Sequence, residues 1–234
     1  MNYLVLDTST EWCSAALWLD GRIQARRVLA GQRHSSLLLP MLDELLRESD
    51  LSLRQLDGLA YGAGPGSFTG LRIACAVTQG LALGADLPVV GVSTLESIAE
   101  QTGADHVLTV LDARMAEVYW AAYRREGTGW RAVSEPQLAL PESVAVPDGD
   151  DWAGVDWIGA GNGFVVLGEV LRPRLAARLA RIDDSLMPDA AAMAPLAARA
   201  FARGEGMDAA LAAPIYLRDK VALTVDERRA RNPA

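Results

Sequence analysis

The sequence predicts an α/β protein with two lobes built on one plan, the second of them degenerate. An apolar run that leads through a glycine-rich turn into a helix, within residues 59–84, is the pattern of an α/β crossover. Two short sequences of the first lobe return in the same order about 100 residues later. They are Val5-Leu6-Asp7, which returns as Val110-Leu111-Asp112, and Tyr61-Gly62-Ala63-Gly64, which returns as Ile158-Gly159-Ala160-Gly161. Such repetition indicates an internal duplication.

The composition is that of a globular protein. Of the 234 residues half are hydrophobic, and the net charge is −8. Because nucleic acids are bound mainly through Lys and Arg contacts with phosphates, we expect weak binding of nucleic acid by this chain alone. Cys13 and Cys75 make neither a disulfide framework nor a zinc site. The N-terminus lacks a signal-peptide pattern and no apolar run reaches the length of a membrane span, so we expect a cytoplasmic protein without membrane contact.

The first strands are indicated by apolar runs and one turn. Residues 3–6 are all apolar, which predicts a buried central strand. Residues 13–19 and 22–29 are predicted to form a hairpin, because Asp20-Gly21 between them is a strong turn signal. The strand at residues 3–6 ends in Asp7-Thr8-Ser9-Thr10, whose oxygens could hold a hydrated metal or meet phosphate. The alternative is an ordinary polar turn.

The first long helix is predicted over residues 34–49, with Ser35 or Ser36 as its cap. Its apolar positions cover more surface than a helix needs to pack on its own core. They are Leu37, Leu38, Leu39, Met41, Leu42, Leu45 and Leu46.

The glycine turn leads into a second helix, capped by Ser67 and ending near Gly84. Small residues recur there at every fourth position and so share one row, which lets a neighbour approach closely. The row consists of Gly66, Gly70, Ala74, Thr78 and Ala82. Two interpretations stay open: packing on the chain's own sheet alone, or additional contact with another subunit.

The remaining elements are less regular. We predict a strand at residues 87–92, a helix from Ser93 or Thr94 to about Gly103, and strands at residues 106–111 and 117–123. Residues 136–156 are predicted to be loops, residues 163–171 a short helix, and residues 175–182 are ambiguous. A helix at about residues 188–204 is expected to pack back between the lobes. Residues 216–218 are predicted to be a last strand, and residues 224–234 a loose tail. The predicted domains are residues 1–104 and 105–234.

The order of elements resembles the plan of the actin, hexokinase and heat-shock ATPase superfamily, a duplicated ribonuclease H-like fold. Five stretches are more specific: LVLDTST, HSSLLLPMLDELL, GAGPGSFTGLRIA, VVGVSTLESIA and PIYLRDKVA. Together they resemble the bacterial TsaB family, also called YeaZ, over nearly the whole chain. The resemblance implies a role in making threonylcarbamoyladenosine at position 37 of tRNAs that read ANN codons.

The resemblance also implies a division of labour. The related catalytic subunit, TsaD, holds a metal partly through two histidines in a V-N-H-x-E-x-H stretch. Here Thr94 and Ile98 occupy the two histidine positions, and Glu96 alone remains. One carboxylate does not make a transition-metal site, so we expect no metal and no catalysis of its own. The expected function is a non-catalytic scaffold that binds TsaD and the TsaE ATPase and meets tRNA only through that complex.

A nucleotide site is a further expectation. The candidates for nucleotide or phosphate contact are Asp7, Thr8, Ser9, Arg114, Gly159 and Gly161. Arg114 stands where kinases of the superfamily have a glycine, although its charge could meet an anion from a partner. The chain is expected to have no cofactor of its own, with ATP or ADP expected, if anywhere, at the interface of the complex. The alternative function is a small-molecule kinase; a protease is disfavoured because only His34 and His106 exist and no HExxH motif occurs.

The two long helices are the predicted partner surface. The catalytic subunit shares the fold, so equivalent helices could dock pseudo-symmetrically, and the chain alone would pair with itself as a homodimer. The predicted interface residues are Leu38, Leu39, Leu42, Leu46, Gly70, Ala74 and Thr78.

Overall fold

The computed structural model describes residues 1–218, whose strands form two five-stranded sheets. The elements of the first half are β1 (Asn2–Asp7), β2 (Trp12–Leu19), β3 (Arg22–Leu29), α1 (His34–Glu48), β4 (Gly58–Gly64), α2 (Phe68–Ala85), β5 (Val89–Ser93) and α3 (Thr94–Gln101). Those of the second half are β6 (His106–Asp112), β7 (Val118–Glu126), β8 (Gly129–Ala139), β9 (Trp157–Ala160), α4 (Gly163–Val166), α5 (Gly168–Leu175), β10 (Leu179–Asp183) and α6 (Ala190–Ala202). The predicted tail, residues 224–234, lies outside the described residues.

The two sheets have the same design. The strand order is β3-β2-β1-β4-β5 in the first and β8-β7-β6-β9-β10 in the second. In each, the leading strand pairs antiparallel with the next strand and parallel with the fourth. The α/β fold of two lobes built on one plan, with its superfamily assignment, is therefore confirmed.

Side chains along β1 point alternately to the two faces of the first sheet, and different helices cover each face. Leu4 and Leu6 point to the face that α1 and α2 cover, where they join one hydrophobic cluster. Val5 points to the opposite face, where it packs with Ala194 and Ala197 of α6. The first sheet is thus buried on both sides, which explains the unbroken apolar sequence of its central strand.

The helix predicted at residues 188–204 is α6, and it begins with an Asp189 cap. Besides the first sheet it contacts α3, where Arg199 forms an ion pair of 3.1 Å with Glu100. Glu100 also accepts a hydrogen bond of 2.6 Å from Trp130 of β8, so α6 lies where the two halves meet. The boundary between residues 104 and 105 stays a prediction.

Several local predictions are wrong. No serine side chain caps α1, because Ser36 donates backward to the carbonyl of Arg33 instead. Strand β8 continues through Pro136 into the predicted loop, which is compatible with its position at a sheet edge. The predicted helix at residues 163–171 breaks at Leu167 into α4 and α5, and residues 216–218 are not a strand.

By length and composition α2 could cross a membrane, contrary to the expectation that no apolar run of the chain is long enough. Its 18 residues have a mean hydropathy of 1.2, because small and aliphatic residues dominate and Arg72 is its only charge. One face of α2, with Leu71, Ala74 and Cys75, is buried in this protein. A core helix meets the same criterion, so the observation is weak evidence for a membrane span.

Candidate functional site: the interlobe cleft and the outer helical face

The polar turn after β1 is closed by its own hydrogen bonds. Asp7 is fully buried, and its carboxylate accepts hydrogen bonds from the backbone N–H and the hydroxyl of Ser9 at 3.3 and 3.0 Å. The hydroxyl of Thr8 donates to the carbonyl of Gly70 at 2.6 Å. Burial raises the pKa of Asp7 to about 7, although the bonds from Ser9 oppose this rise. These oxygens are already engaged inside the chain.

Close backbone packing explains the glycines that face this turn. A Cβ atom on Gly62 would overlap the carboxylate of Asp7, and one on Gly70 would overlap the carbonyl oxygen of Thr8. A Cβ atom on Gly66 would lie 2.6 Å from the carbonyl oxygen of Ser9. The glycine loop therefore packs directly against the turn, and the oxygens of Asp7 and Thr8 are engaged within the chain, which weakens the support for the kinase hypothesis.

A cleft of about 730 Å³ lies between the two halves. Its walls come from the β1–β2 turn, the start of α2, the turn after β6 and residues 215–218. Of the predicted nucleotide residues, Ser9 and Arg114 line this cleft, whereas Asp7, Thr8, Gly159 and Gly161 are not among its lining residues. The structure does not bring the six together.

Gly159 and Gly161 are required by packing in the second half. A Cβ atom on Gly159 would lie 2.8 Å from the ring of Phe164. Gly161 has a φ of +108°, and its Cβ atom would overlap the carbonyl of Val110. The two glycines, predicted as nucleotide contacts, therefore have a packing role within the chain.

The turn after β6 has an uncommon backbone. Arg114, Met115 and Ala116 have φ values of 63°, 57° and 61°, all in the left-handed region that non-glycine residues rarely adopt. The carboxylate of Asp112 accepts a hydrogen bond of 2.9 Å from the backbone N–H of Arg114. We call residues 113–117 the Arg114 turn.

A segment that sequence reasoning assigned no role crosses the cleft to this turn. Residues 212–218, here called the strap, follow a short 3₁₀ turn at Ala209–Leu211. The backbone N–H of Ile215 donates to the carbonyl of Ala63 at 2.7 Å, and the guanidinium of Arg218 lies 2.6 Å from the carboxylate of Glu117. The strap overlaps the PIYLRDKVA stretch that contributed to the resemblance, and residues 216–218 of it were predicted to be a strand.

The two positions that correspond to metal-binding histidines are part of the core. Thr94 is buried and its hydroxyl donates to the carbonyl of Pro65 at 2.5 Å, while Ile98 is fully buried. Burial raises the pKa of Glu96 to about 7, opposed by the charge of Arg199. Among residues 1–218 no three His, Cys, Asp or Glu side chains lie together as metal ligands would.

Both histidines of the chain have structural contacts. His34 is buried, with its Nε2 3.3 Å from the carbonyl of Trp12. The ring of His106 packs against those of Trp152 and Trp157, with ring centroids 6.0 and 5.3 Å away. None of these contacts within residues 1–218 joins a histidine to a Ser or Cys side chain, as the base of a protease would require.

The predicted partner surface needs correction, because most of its residues are buried inside the chain. Leu38 and Leu42 join the cluster under α1, and Gly70, Ala74 and Thr78 form the inward row of α2. The reason is the close approach of α2 to the turn at Thr8, which only a row of small residues permits. These five residues cannot contact a partner in this conformation.

The opposite side of the two helices is exposed. Leu39 of α1 and Leu83 of α2 are 49% and 61% exposed, and Leu46 is half-buried. Ala76 and Gly80 lie in line with Leu83, and a Cβ atom on Gly80 would have nothing within 4 Å. We call Leu39, Leu46, Ala76, Gly80 and Leu83 the outer helical face. It combines apolar side chains with small residues that allow a close neighbour.

Comparison with known proteins gives consistent matches. The family model described as tRNA N6-adenosine threonylcarbamoyltransferase, TsaD, matches residues 28–224. The tRNA threonylcarbamoyladenosine biosynthesis protein TsaB of Escherichia coli (strain K12) is 40% identical, over 95% of this chain and 96% of its own length. TsaB of Haemophilus influenzae is 36% identical, over 94% of this chain and 95% of its own.

Solved structures agree with these relatives. YeaZ from Pseudomonas aeruginosa superimposes with a TM-score of 0.82 at 40% identity, covering 92% of this chain and 99% of its own. A second structure from that organism, of a protein described as similar to peptidase YeaZ, gives a TM-score of 0.85 at 41% identity, covering 93% and 99%.

Proposed function

The chain belongs to the TsaB family of tRNA threonylcarbamoyladenosine biosynthesis proteins, and we propose that it serves there as a non-catalytic scaffold. In this role it binds the catalytic TsaD subunit and the TsaE ATPase and does not itself transfer the threonylcarbamoyl group. The observation that carries the proposal is the outer helical face, an exposed apolar surface on two long helices.

The exposed residues fit a partner that is itself helical. Gly80 has open space around it, so a second helix could approach the backbone of α2 closely. Leu39 and Leu83 would be removed from water on each side, and large side chains of this kind contribute about 1.5–3 kcal/mol each when fully buried. A family relative with the same fold offers equivalent helices, so we propose pseudo-symmetric docking with TsaD. In its absence, self-pairing into a homodimer covers the same face.

The closed turn at Asp7 supports the non-catalytic role. A phosphate-transferring relative of this fold would need free oxygens there, but those of Asp7 and Thr8 are bonded within the chain. We propose that any adenine nucleotide used by the complex is held with partner residues rather than by this chain alone. The net charge of −8 supports contact with tRNA only through the complex.

The test is Gly80→Arg, compared with Ala202→Arg on the opposite side of the first sheet. Both sites are exposed in helices, and at Gly80 the open space accepts a side chain without overlap. Arg also has a higher helix propensity than Gly, so the variant should fold. Melting curves of both variants come first.

The readouts are the affinity for purified TsaD and threonylcarbamoyladenosine formation by the reconstituted proteins. We expect Gly80→Arg to weaken TsaD binding by about tenfold or more, as loss of central interface contacts does, and to reduce product accordingly. Ala202→Arg should behave as wild type. Unchanged TsaD affinity of folded Gly80→Arg would show that the outer helical face is not the interface.

A further inference from the structure

The strap is held firmly at its first end. The carbonyl of Ala212 accepts a hydrogen bond of 3.1 Å from the side chain of Gln79 in α2. The backbone N–H of Ala213 donates to the hydroxyl of Tyr61, and that hydroxyl donates to the carbonyl of Ala213, both at 3.0 Å. Leu211, 70% exposed, immediately precedes these anchors. The start of the strap is therefore fixed by hydrogen bonds to α2 and to Tyr61 of β4.

The other end of the strap is held by the second half of the protein. Leu217 packs against the hydrophobic cluster that contains Leu111. The guanidinium of Arg218 donates to the carbonyl of Ala113 at 3.1 Å and pairs with Glu117 at 2.6 Å. Although Arg218 is the last described residue, its side chain is only 14% exposed. Charge-assisted bonds of this kind are the stronger ones in proteins.

Arg218 contacts the Arg114 turn, whose backbone conformation is unfavourable. Arg114, Met115 and Ala116 are consecutive left-handed residues, each of which is unfavourable by itself. Such backbone persists only where the surroundings hold it. The guanidinium binds the carbonyl before these residues and the carboxylate after them, and so spans the Arg114 turn.

We propose that the strap is a clasp that couples the outer helical face to the Arg114 turn across the cleft. The inference rests on the proposed function for the identity of the partner. A partner that covers the outer helical face and Leu211 would fix the start of the strap. Seven residues span at most about 25 Å and the strap is anchored at several of them, so little slack remains before Arg218. Docking thus stabilises the Arg218 clamp, and by linkage a broken clamp weakens docking.

The first experiment uses the chain alone and measures amide hydrogen exchange. The backbone N–H groups of Ala113 and Glu117 are bonded within the Arg114 turn, so their exchange reports its opening. In Arg218→Ala we expect these amides to exchange roughly tenfold faster or more, the effect of losing bonds to a charged group. Arg203→Ala is the control, since it removes an exposed pair with Glu205 elsewhere. Exchange in Arg218→Ala equal to wild type would refute the clasp.

The second experiment adds purified TsaD. Binding should slow exchange of the Arg114 turn in the wild type, and Arg218→Ala should bind TsaD several-fold more weakly because fewer molecules are in the clasped state. Wild-type affinity of Arg218→Ala, with its exchange raised, would refute the coupling. A failure of Gly80→Arg to weaken binding would instead contradict the proposed interface, and the chain-alone exchange would still decide on the clasp.

Discussion

Replacing glycine by alanine should have opposite effects on the stability of the protein at two positions of α2. Gly70 and Gly80 lie in the same helix, but Gly70 faces the Asp7 turn and Gly80 faces outward. Gly→Ala alone favours a helix by about 1 kcal/mol. At Gly80 a Cβ atom meets nothing within 4 Å, so this gain should be realised in full. At Gly70 the Cβ atom would overlap the backbone carbonyl of Thr8.

The size of the stability change at each position depends on whether the atoms that a new Cβ meets can move away. To relieve the overlap, α2 or β1 would have to shift as a whole, since the obstacle is backbone and not a flexible side chain. Overpacking of a well-packed core costs about 1–3 kcal/mol and sometimes more, so we expect about 3 kcal/mol for Gly70→Ala. For a chain of this size 1 kcal/mol corresponds to about 2–4 °C in Tm. Gly80→Ala should therefore raise Tm by about 2–4 °C and Gly70→Ala lower it by about 6 °C or more.

Thermal and urea unfolding followed by circular dichroism measure both changes. Because Gly80 lies in the proposed interface, each variant must be melted at several protein concentrations, so that self-association does not mimic a change in intrinsic stability. A Gly70→Ala variant as stable as wild type would mean that the inward row of α2 is not packed as described. A large loss in Gly80→Ala would mean that the outward row is not free.

Two further predictions concern the same region. Ala74→Arg should fail to give folded protein, because Ala74 is fully buried and a charge there has no partner, whereas Ala76→Arg at an exposed position should fold. Circular dichroism and soluble yield distinguish the two variants. A folded Ala74→Arg would contradict the assignment of Ala74 to the inward row of α2. The pKa of Asp7, raised from 3.8 to about 7, means that the folded state keeps a proton that the unfolded state loses between these pH values. Its stabilising contribution is complete below about pH 4 and lost as the pH rises to about 7. Asp7→Asn should therefore be more stable relative to wild type at pH 8 than at pH 4. The measurement is the Tm of both proteins across this pH range. A Tm difference between variant and wild type that does not change with pH would be inconsistent with a buried carboxyl whose pKa is raised.

The fold could be predicted because its signals are local and repeated. Residues 3–6 of the strand at Val5 are all apolar since both faces of its sheet are covered, and the strand at Val110 likewise contributes apolar residues to a cluster on each face of its sheet. The Asp20-Gly21 hairpin and the Ser67 cap depend only on neighbouring residues, and both are present. The repeated Val-Leu-Asp and Gly-Ala-Gly sequences indicated that a second lobe follows the same plan.

The orientation of α2 could not be read from the spacing of its small residues. Two rows satisfy the same four-residue period, one through Gly70 and Ala74 and one through Ala76 and Gly80. Contact with Thr8, more than sixty residues away in sequence, selects the first as the inward row. A local signal did exist: Arg72, the only charge of the helix, lies in line with Ala76 and Gly80 and marks the outward row.

The two rows together suggest how one helix serves both parts of the proposed role. The inward glycines bring α2 so close to the turn at Asp7 and Thr8 that Thr8 is hydrogen-bonded to the backbone of Gly70. The outward residues leave the same helix open to a neighbour along most of its length. A substitution that reopened the turn would have to move α2, and the outer helical face would move with it. On this view the closure of the turn fixes the position of the surface that meets the partner.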